Sequence, residues 1–194
     1  MSADLMSISA HKVHGPKGVG ALYVSQETIK TKKIIPHLIG GGQESGLRSG
    51  TENVIGILGF SAAVQTGFEN YSENRKKLLR LRGLCEEKVR EAGAEINMTQ
   101  GERAPHIISV KLPYIKSETM LNFLSGKGIC VSSGSACSSH SNHISSSLVG
   151  FGLEKAEADS TIRVSLCEYN TEEEIEFFAH TLSDGIKFLI KFKR

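Results

Sequence analysis

Hydrophobic and polar positions change period along the chain. Residues 4–9 (Asp-Leu-Met-Ser-Ile-Ser) and 19–25 (Val-Gly-Ala-Leu-Tyr-Val-Ser) follow a strand pattern. They predict a hairpin-like pair around the turn between them. A lone hairpin is marginal in water, so this pair needs a larger sheet to join. From about residue 52 to 92 the period becomes helical. Val54, Ile57, Leu58 and Val64 form one stripe, and Leu78, Leu81, Leu84, Cys85 and Val89 a second. The pattern predicts one long helix or two meeting near Gly67, ended by Ala92-Gly93. Ser49 or Thr51 is the expected cap at its start.

Strands and helices then interleave. Residues 94–99 read as a weak strand, 106–112 as a strong one, 129–132 as a short one and 161–166 as another. Between and after them, helices are predicted over 117–126, with Ser117 as N-cap, over 145–151 and over 171–192. The last opens with Thr171 and three glutamates in its first turn, where the helix dipole favours negative charge. This order suggests a compact α+β unit, with helices over one face of a largely antiparallel sheet. A domain boundary is expected inside the long helical stretch, dividing the chain into residues 1–70 and 71–194. No internal repeat or disordered tract stands out.

Composition narrows the function classes. The 194 residues carry 23 Lys+Arg against 21 Asp+Glu, a net charge of +2, which is too balanced to argue for nucleic acid or a membrane surface. No apolar run approaches a membrane span, and the first residues lack a signal-peptide pattern, so a cytoplasmic protein is expected. Four cysteines (Cys85, Cys130, Cys137, Cys167) do not make a disulfide framework in a chain of this length. Cys85, Cys130 and Cys167 read as small buried hydrophobes.

Three stretches carry chemistry. Residues 9–20 (Ser-Ala-His-Lys-Val-His-Gly-Pro-Lys-Gly-Val-Gly) place Lys12 in a Gly-rich turn beside hydroxyl and imidazole donors. An amine so placed can hold a carbonyl cofactor as a Schiff base. The turn lacks the Gly-Lys-Ser/Thr ending and following helix of a nucleoside-triphosphate loop. Residues 40–53 hold five glycines with Arg48 and Thr51, residue types that hold anions, ahead of a helix N-terminus. Residues 132–139 (Ser-Ser-Gly-Ser-Ala-Cys-Ser-Ser) form a small-residue loop around Cys137, suited to a mobile reactive thiol. A zinc site from Cys130, Cys137, His140 and His143 is disfavoured, because structural zinc motifs bring their cysteines in tighter pairs. The lysines of 26–35 read as a solvated surface, and His180, on the last helix, as structural.

Taken together, four segments resemble the pyridoxal-phosphate-dependent cysteine desulfurases of the class V aminotransferase family. They are the Lys12 segment through Val24, the Gly-Gly-Gln-Glu-Ser-Gly-Leu-Arg-Ser-Gly-Thr-Glu-Asn-Val segment, the Cys137 loop, and Ile-Arg-Val-Ser-Leu followed by Thr-Glu-Glu-Glu-Ile. They occur in the family's order and span nearly the whole chain. The resemblance implies the C-terminal portion of a fold-type I pyridoxal-phosphate transferase, mixed α/β and α+β. Residues 1–70 are then a remnant of the cofactor-binding large domain, and 71–194 the small C-terminal domain with the cysteine loop.

The resemblance also implies roles. Lys12 is the Schiff-base lysine, Ser9 and His11 touch the cofactor phosphate, and Thr51 reaches the phosphate of the other subunit in a homodimer. Arg163 binds the carboxylate of L-cysteine, a bidentate task suited to guanidinium. Cys137 takes the sulfur as a persulfide, alanine leaves, and the sulfur passes to an iron–sulfur scaffold or another acceptor. Selenocysteine lyase, cysteine sulfinate desulfinase and a non-enzymatic module docking a sulfur acceptor are the alternatives.

The chain departs from the family pattern in two positions and in extent. Ser45 stands where a basic residue is usual, and Cys167 where glycine is usual. The family's ring-stacking histidine and the aspartate that pairs the pyridine nitrogen belong to an upstream half. The expectation is a C-terminal half that is inactive alone.

Overall fold

The computed structural model describes residues 3–32, 34–98, 101–133 and 145–191. The chain divides into two compact units, Met1–Ser72 and Glu73–Arg194.

In the first unit, β1 (Leu5–Ser9) and β2 (Gly20–Val24) form the expected antiparallel pair, with Met6 opposite Tyr23 and Ser9 opposite Gly20. The pair closes tightly: a Cβ on Gly20 would lie 2.4 Å from the Ile8 carbonyl oxygen. A 3-10 turn, Ala10–Val13, follows β1, and a short helix α1 (Gln26–Lys30) follows β2, capped by the Ser25 hydroxyl. α2 (Val54–Glu69) carries the first predicted stripe. Its cap is Asn53, whose Oδ1 accepts from the Gly56 amide at 3.0 Å; neither Ser49 nor Thr51 does this. Asn53 is the last polar residue before the helix, so it alone has the reach.

The helical stretch is two helices, with the break at Asn70 rather than Gly67. Asn70 turns its side-chain amide back onto the Thr66 carbonyl at 2.9 Å and ends α2; α3 spans Tyr71–Glu91. Gly67 has open space around it and stays helical. At the far end of α3, Gly93 adopts φ +92° and its amide bonds the Arg90 carbonyl, the left-handed stop that the sequence predicts.

The second unit holds a three-stranded antiparallel sheet in the order β3 (Glu95–Ile96), β4 (Ile107–Lys111), β5 (Thr161–Ser165). Pairing sets Ile108 opposite Val164, Val110 opposite Ile162, and Ser109 opposite Arg163. The period of two therefore sorts one apolar face from one polar face. The apolar face is buried with Leu81, Cys85 and Val89 of α3, with Met120 and Leu124 of α4 (Ser117–Ser125), and with Ile175, Phe178 and Leu182 of α7 (Glu172–Lys191). Each fully buried leucine there contributes about 1.5–3 kcal/mol. α7 opens with a reciprocal cap: the Glu174 amide donates to Thr171 Oγ1 at 3.3 Å and the Thr171 amide to Glu174 Oε2 at 3.1 Å.

Other expectations need correction. Residues 129–132 form no strand; only Ser132 bridges, to Arg163, while Ile129 and Val131 lean on the core. Ser117 is the first residue of α4, and Lys116 precedes it as the cap position without a side-chain bond. A helix absent from the expectations, α6 (Lys155–Asp159), follows α5 (Ser146–Gly150). Cys85 is buried as expected, but Cys167 is only half-buried and Cys130 is exposed. His180 lies on the exposed side of α7, 3.5 Å from Asp184.

Candidate active site

The lysine turn is built by β1 and closed by small residues. β1 ends at Ser9; the next residue, Ala10, is buried and its amide bonds the Val19 carbonyl at 3.1 Å. His11 and Lys12 then project from the 3-10 turn, and both are exposed. His14 closes the turn at φ +64°, and Gly15 sits so close to Ala10 that a methyl there would lie 3.0 Å from its carbonyl oxygen. α2 leans on the same turn, since a methyl on Gly59 would meet Pro16 at 3.1 Å. The Ser9 hydroxyl at the end of β1 and the imidazole and ammonium of His11 and Lys12 in the turn thus follow one another closely. Among the described residues, no side chain pairs with the Lys12 ammonium. The donor set fits the phosphate and carbonyl ends of pyridoxal phosphate: the hydroxyl and imidazole donate to an anion, and the amine condenses with an aldehyde.

The Gly-rich segment is a self-bonded loop. The Gly50 amide donates to Gln43 Oε1 at 3.1 Å, the Gly42 amide to Ser49 Oγ at 3.4 Å, and the Ser49 amide to the Leu38 carbonyl at 3.0 Å. Glu44 and Ser45 both take left-handed φ values of 51° and 57°, an uncommon pair for residues with a Cβ. Arg48 turns its guanidinium onto the Gly50 carbonyl at 3.3 Å. Thr51 is exposed, ahead of α2, and no hydrogen bond joins it to Ser9, His11 or Lys12 among the described residues.

Arg163 is in the second unit, on the polar face of the sheet. Its Nε donates to Ser165 Oγ at 3.1 Å and its Nη2 to Ser132 Oγ at 3.3 Å. Backbone bonds reinforce the junction: the Arg163 amide donates to the Ser132 carbonyl at 2.7 Å, and the Ser132 amide to the Arg163 carbonyl at 3.1 Å. Two hydroxyls therefore hold the guanidinium, and among the described residues no other side chain takes its remaining N–H donors, which suit an anion. The sequence reading did not include either serine. Ser165 had a signal, since residues i and i+2 share one face of a strand; Ser132 had none, because it reaches Arg163 through tertiary pairing.

Cys137, His140 and His143 lie outside the described residues. Of the four residues weighed for zinc only Cys130 is described, and no group of three or more potential metal ligands occurs among the described residues. Cys85, by contrast, is a core thiol, pushed up to about 12 by burial and by the neighbouring Glu86 charge.

Comparison with known proteins agrees with the motif order. The chain is 36% identical over 190 residues to the Archaeoglobus fulgidus protein named cysteine desulfurase IscS 1, a match covering 97% of this chain and 49% of that one. It is 39% identical over 191 residues to the Clostridium botulinum cysteine desulfurase IscS, covering 96% and 47%. A solved structure titled a NifS-like protein superimposes with a TM-score of 0.82 at 39% identity, over 95% of this chain and 46% of that one. The chain thus spans about half the length of these relatives, matching their C-terminal half. The mixed helix-and-sheet architecture fits a partial fold-type I enzyme. A family model described as aminotransferase class-V matches residues 1–178, and the chain belongs to that family.

Proposed function

We propose that this chain is the C-terminal part of a pyridoxal-phosphate-dependent cysteine desulfurase, with the first unit belonging to its cofactor-binding large domain and the second forming its small domain. Lys12 holds the cofactor carbonyl and moves protons at the substrate, Ser9 and His11 hold the phosphate, and Thr51 serves the phosphate of the other subunit in a homodimer. Arg163 pairs with the carboxylate of L-cysteine. Cys137 attacks the substrate sulfur as a thiolate, so that L-cysteine and the thiolate give L-alanine and a Cys137 persulfide. When bound, the cofactor supplies the electron sink for this chemistry. The sulfur then passes to an iron–sulfur scaffold or another acceptor, in the cytoplasm.

One observation supports this reading most directly. The chain enters the Cys137 segment from Ser132, which is bonded to Arg163 through backbone on both sides and through its hydroxyl. This junction ties the start of the Cys137 segment to Arg163, which favours transfer from an amino acid held at Arg163 to a thiol on that segment.

The chain alone is inactive in this reading. Borohydride reduction with added pyridoxal phosphate tests the cofactor assignment. With equimolar pyridoxal phosphate the chain alone shows no preferential label on Lys12 over its other exposed lysines. With the N-terminal half of the Clostridium botulinum relative present, the label falls on Lys12. Label on any other lysine, with Lys12 unlabelled, refutes the assignment.

A further inference from the structure

The polar face of the sheet in the second unit carries one hydroxyl beside Arg163 that the serine clamp does not use. Ser109 of β4 stands directly opposite Arg163 of β5. The even-numbered residues exchange the ladder bonds, in line with the Leu112 amide on the Ser160 carbonyl and the Leu166 amide on the His106 carbonyl. Ser109 and Arg163 therefore form a non-hydrogen-bonded pair, the kind in which opposite side chains come closest, with Cβ atoms about 4.5–5.5 Å apart.

Ser109 is set up as a donor. The Asn97 amide donates to the Ser109 carbonyl at 2.9 Å, and Asn97 Nδ2 donates to Ser109 Oγ at 3.0 Å and to Thr161 Oγ1 at 3.2 Å. Thr161 spends its own proton on the Glu157 carbonyl at 2.7 Å. The Ser109 oxygen thus accepts, while its proton has no acceptor among the described residues. Ser109 is half-buried, so its neighbours limit where that proton can point.

Charge selects the ligand class. Among the described residues no carboxylate pairs with Arg163, whose Nε and Nη2 donate to Ser165 and Ser132. Lys111, on the same face, is already paired with Glu157 at 2.7 Å and with Glu95 at 3.6 Å. One uncompensated positive charge beside one unspent hydroxyl donor suits a monoanion with two oxygens. A carboxylate has that charge and can accept from guanidinium and hydroxyl together. We propose that Ser109 is a further substrate-binding residue, which donates its hydroxyl proton to the carboxylate that Arg163 holds. The carboxylate class comes from this geometry, and its belonging to L-cysteine rests on the desulfurase reading.

An NMR titration of the isotope-labelled full chain, with acetate replacing chloride at constant ionic strength, tests it. The Ser109 backbone amide and the Arg163 Nε–H shift together along one binding curve. Ser109→Ala weakens acetate binding by about 10-fold, the worth of one hydrogen bond to a charged group, and Ser109→Thr restores it. An unchanged amide pattern over α7 shows that the second unit is intact in both variants. In the reconstituted enzyme Ser109→Ala raises KM for L-cysteine by about the same factor with kcat unchanged. Acetate that moves the Arg163 Nε–H without Ser109, that moves neither, or that binds Ser109→Ala as tightly as wild type overturns the proposal. Acetate bound as expected, with no alanine formed by the reconstituted enzyme, leaves the carboxylate site standing and refutes the desulfurase reading instead.

Discussion

The second unit contains a buried charge cluster whose removal has a calculable cost. Glu86 accepts from Arg82 Nε at 2.9 Å and from Arg103 Nη1 at 2.9 Å, and Arg82 also donates to the carbonyls of Arg103 and Ala104. The side chains of Arg82 and Glu86 are only 8% and 10% exposed. Glu86→Ala leaves the Arg82 guanidinium buried without its counter-charge, a loss of about 3–5 kcal/mol. Glu86→Gln keeps the shape and one carbonyl acceptor. Its two bonds fall from charge-assisted to neutral strength, about 1 kcal/mol each, so the cost is about 2 kcal/mol. Arg90, 3.6 Å from Glu86 and half-exposed, adds little to either figure.

The same cluster sets a pH dependence. Burial raises the Glu86 carboxyl, but hydrogen bonds and charge from Arg82 and Arg103 outweigh it and hold the group below its ordinary value of 4.5. The folded state therefore binds this proton less tightly than the unfolded chain. The stabilisation is complete above the ordinary value and is lost as pH falls through the lowered folded one. Urea unfolding at neutral pH, followed by far-UV circular dichroism, reads the ranking of wild type above Gln above Ala. Repeated toward acid, the wild-type advantage over Gln shrinks. A Glu86→Ala cost under about 1 kcal/mol, where a buried unpaired charge demands several, refutes the account of the cluster. So does a gap between wild type and Gln that widens toward acid.

Other outcomes follow from packing and chemistry. Gly83→Ala, on an open face of α3, stabilises the chain by about 0.5–1 kcal/mol through helix propensity. Gly185→Ala, whose Cβ would lie 2.9 Å from the Phe123 ring, costs about 1–3 kcal/mol in overpacking against that same gain and is net destabilising; thermal melts of the two variants move in opposite directions. A thiol reagent at neutral pH labels Cys130 in the native chain and not Cys85, as peptide mass mapping after a short pulse will show. In the reconstituted enzyme, Ser165→Ala frees Arg163 Nε and raises KM for L-cysteine by about 5–10-fold at little cost in kcat, the loss of one hydrogen bond worth about 1 kcal/mol.

The elements that could be read from the sequence are those whose side-chain period matches one environment. β4 and β5 alternate core-facing Ile108, Val110, Ile162 and Val164 with polar neighbours, and α7 joins a reciprocal cap to a long apolar stripe. Failures have local causes. Asn53, Thr51 and Ser49 all suit a helix cap, and where α2 starts selects Asn53, the residue next to it. Ile129 and Val131 resemble a strand because they are β-branched and core-facing, yet a core can be filled from a segment with a single bridge. The alternation around them is real and turns Cys130 outward. α6 is one turn of polar and small residues with no stripe to reveal it.

Around Lys12 and around Arg163 the motifs disclosed residue types and order, because each is held by local turn or strand geometry. The clamp on Arg163 was half legible, through Ser165, and half tertiary, through Ser132. The buried Arg82–Glu86–Arg103 cluster left no trace in the sequence, since it joins α3 to a loop 17 residues beyond Glu86. On a helical wheel Arg82 and Glu86 resemble any solvated i, i+4 pair.

The central claim is that sulfur leaves L-cysteine and is received by Cys137 in the enzyme that this chain helps to form. The direct measurement combines this chain, the N-terminal half of the Clostridium botulinum relative, pyridoxal phosphate and L-cysteine, without an external thiol, and counts alanine against sulfur retained on each cysteine by mass spectrometry. The account predicts one alanine per sulfur atom added to Cys137, and none of either when Cys137→Ser replaces the chain, while pyridoxyl labelling of Lys12 is unchanged. Alanine formed at an equal rate by Cys137→Ser, or sulfur found on Cys130 in place of Cys137, would contradict it.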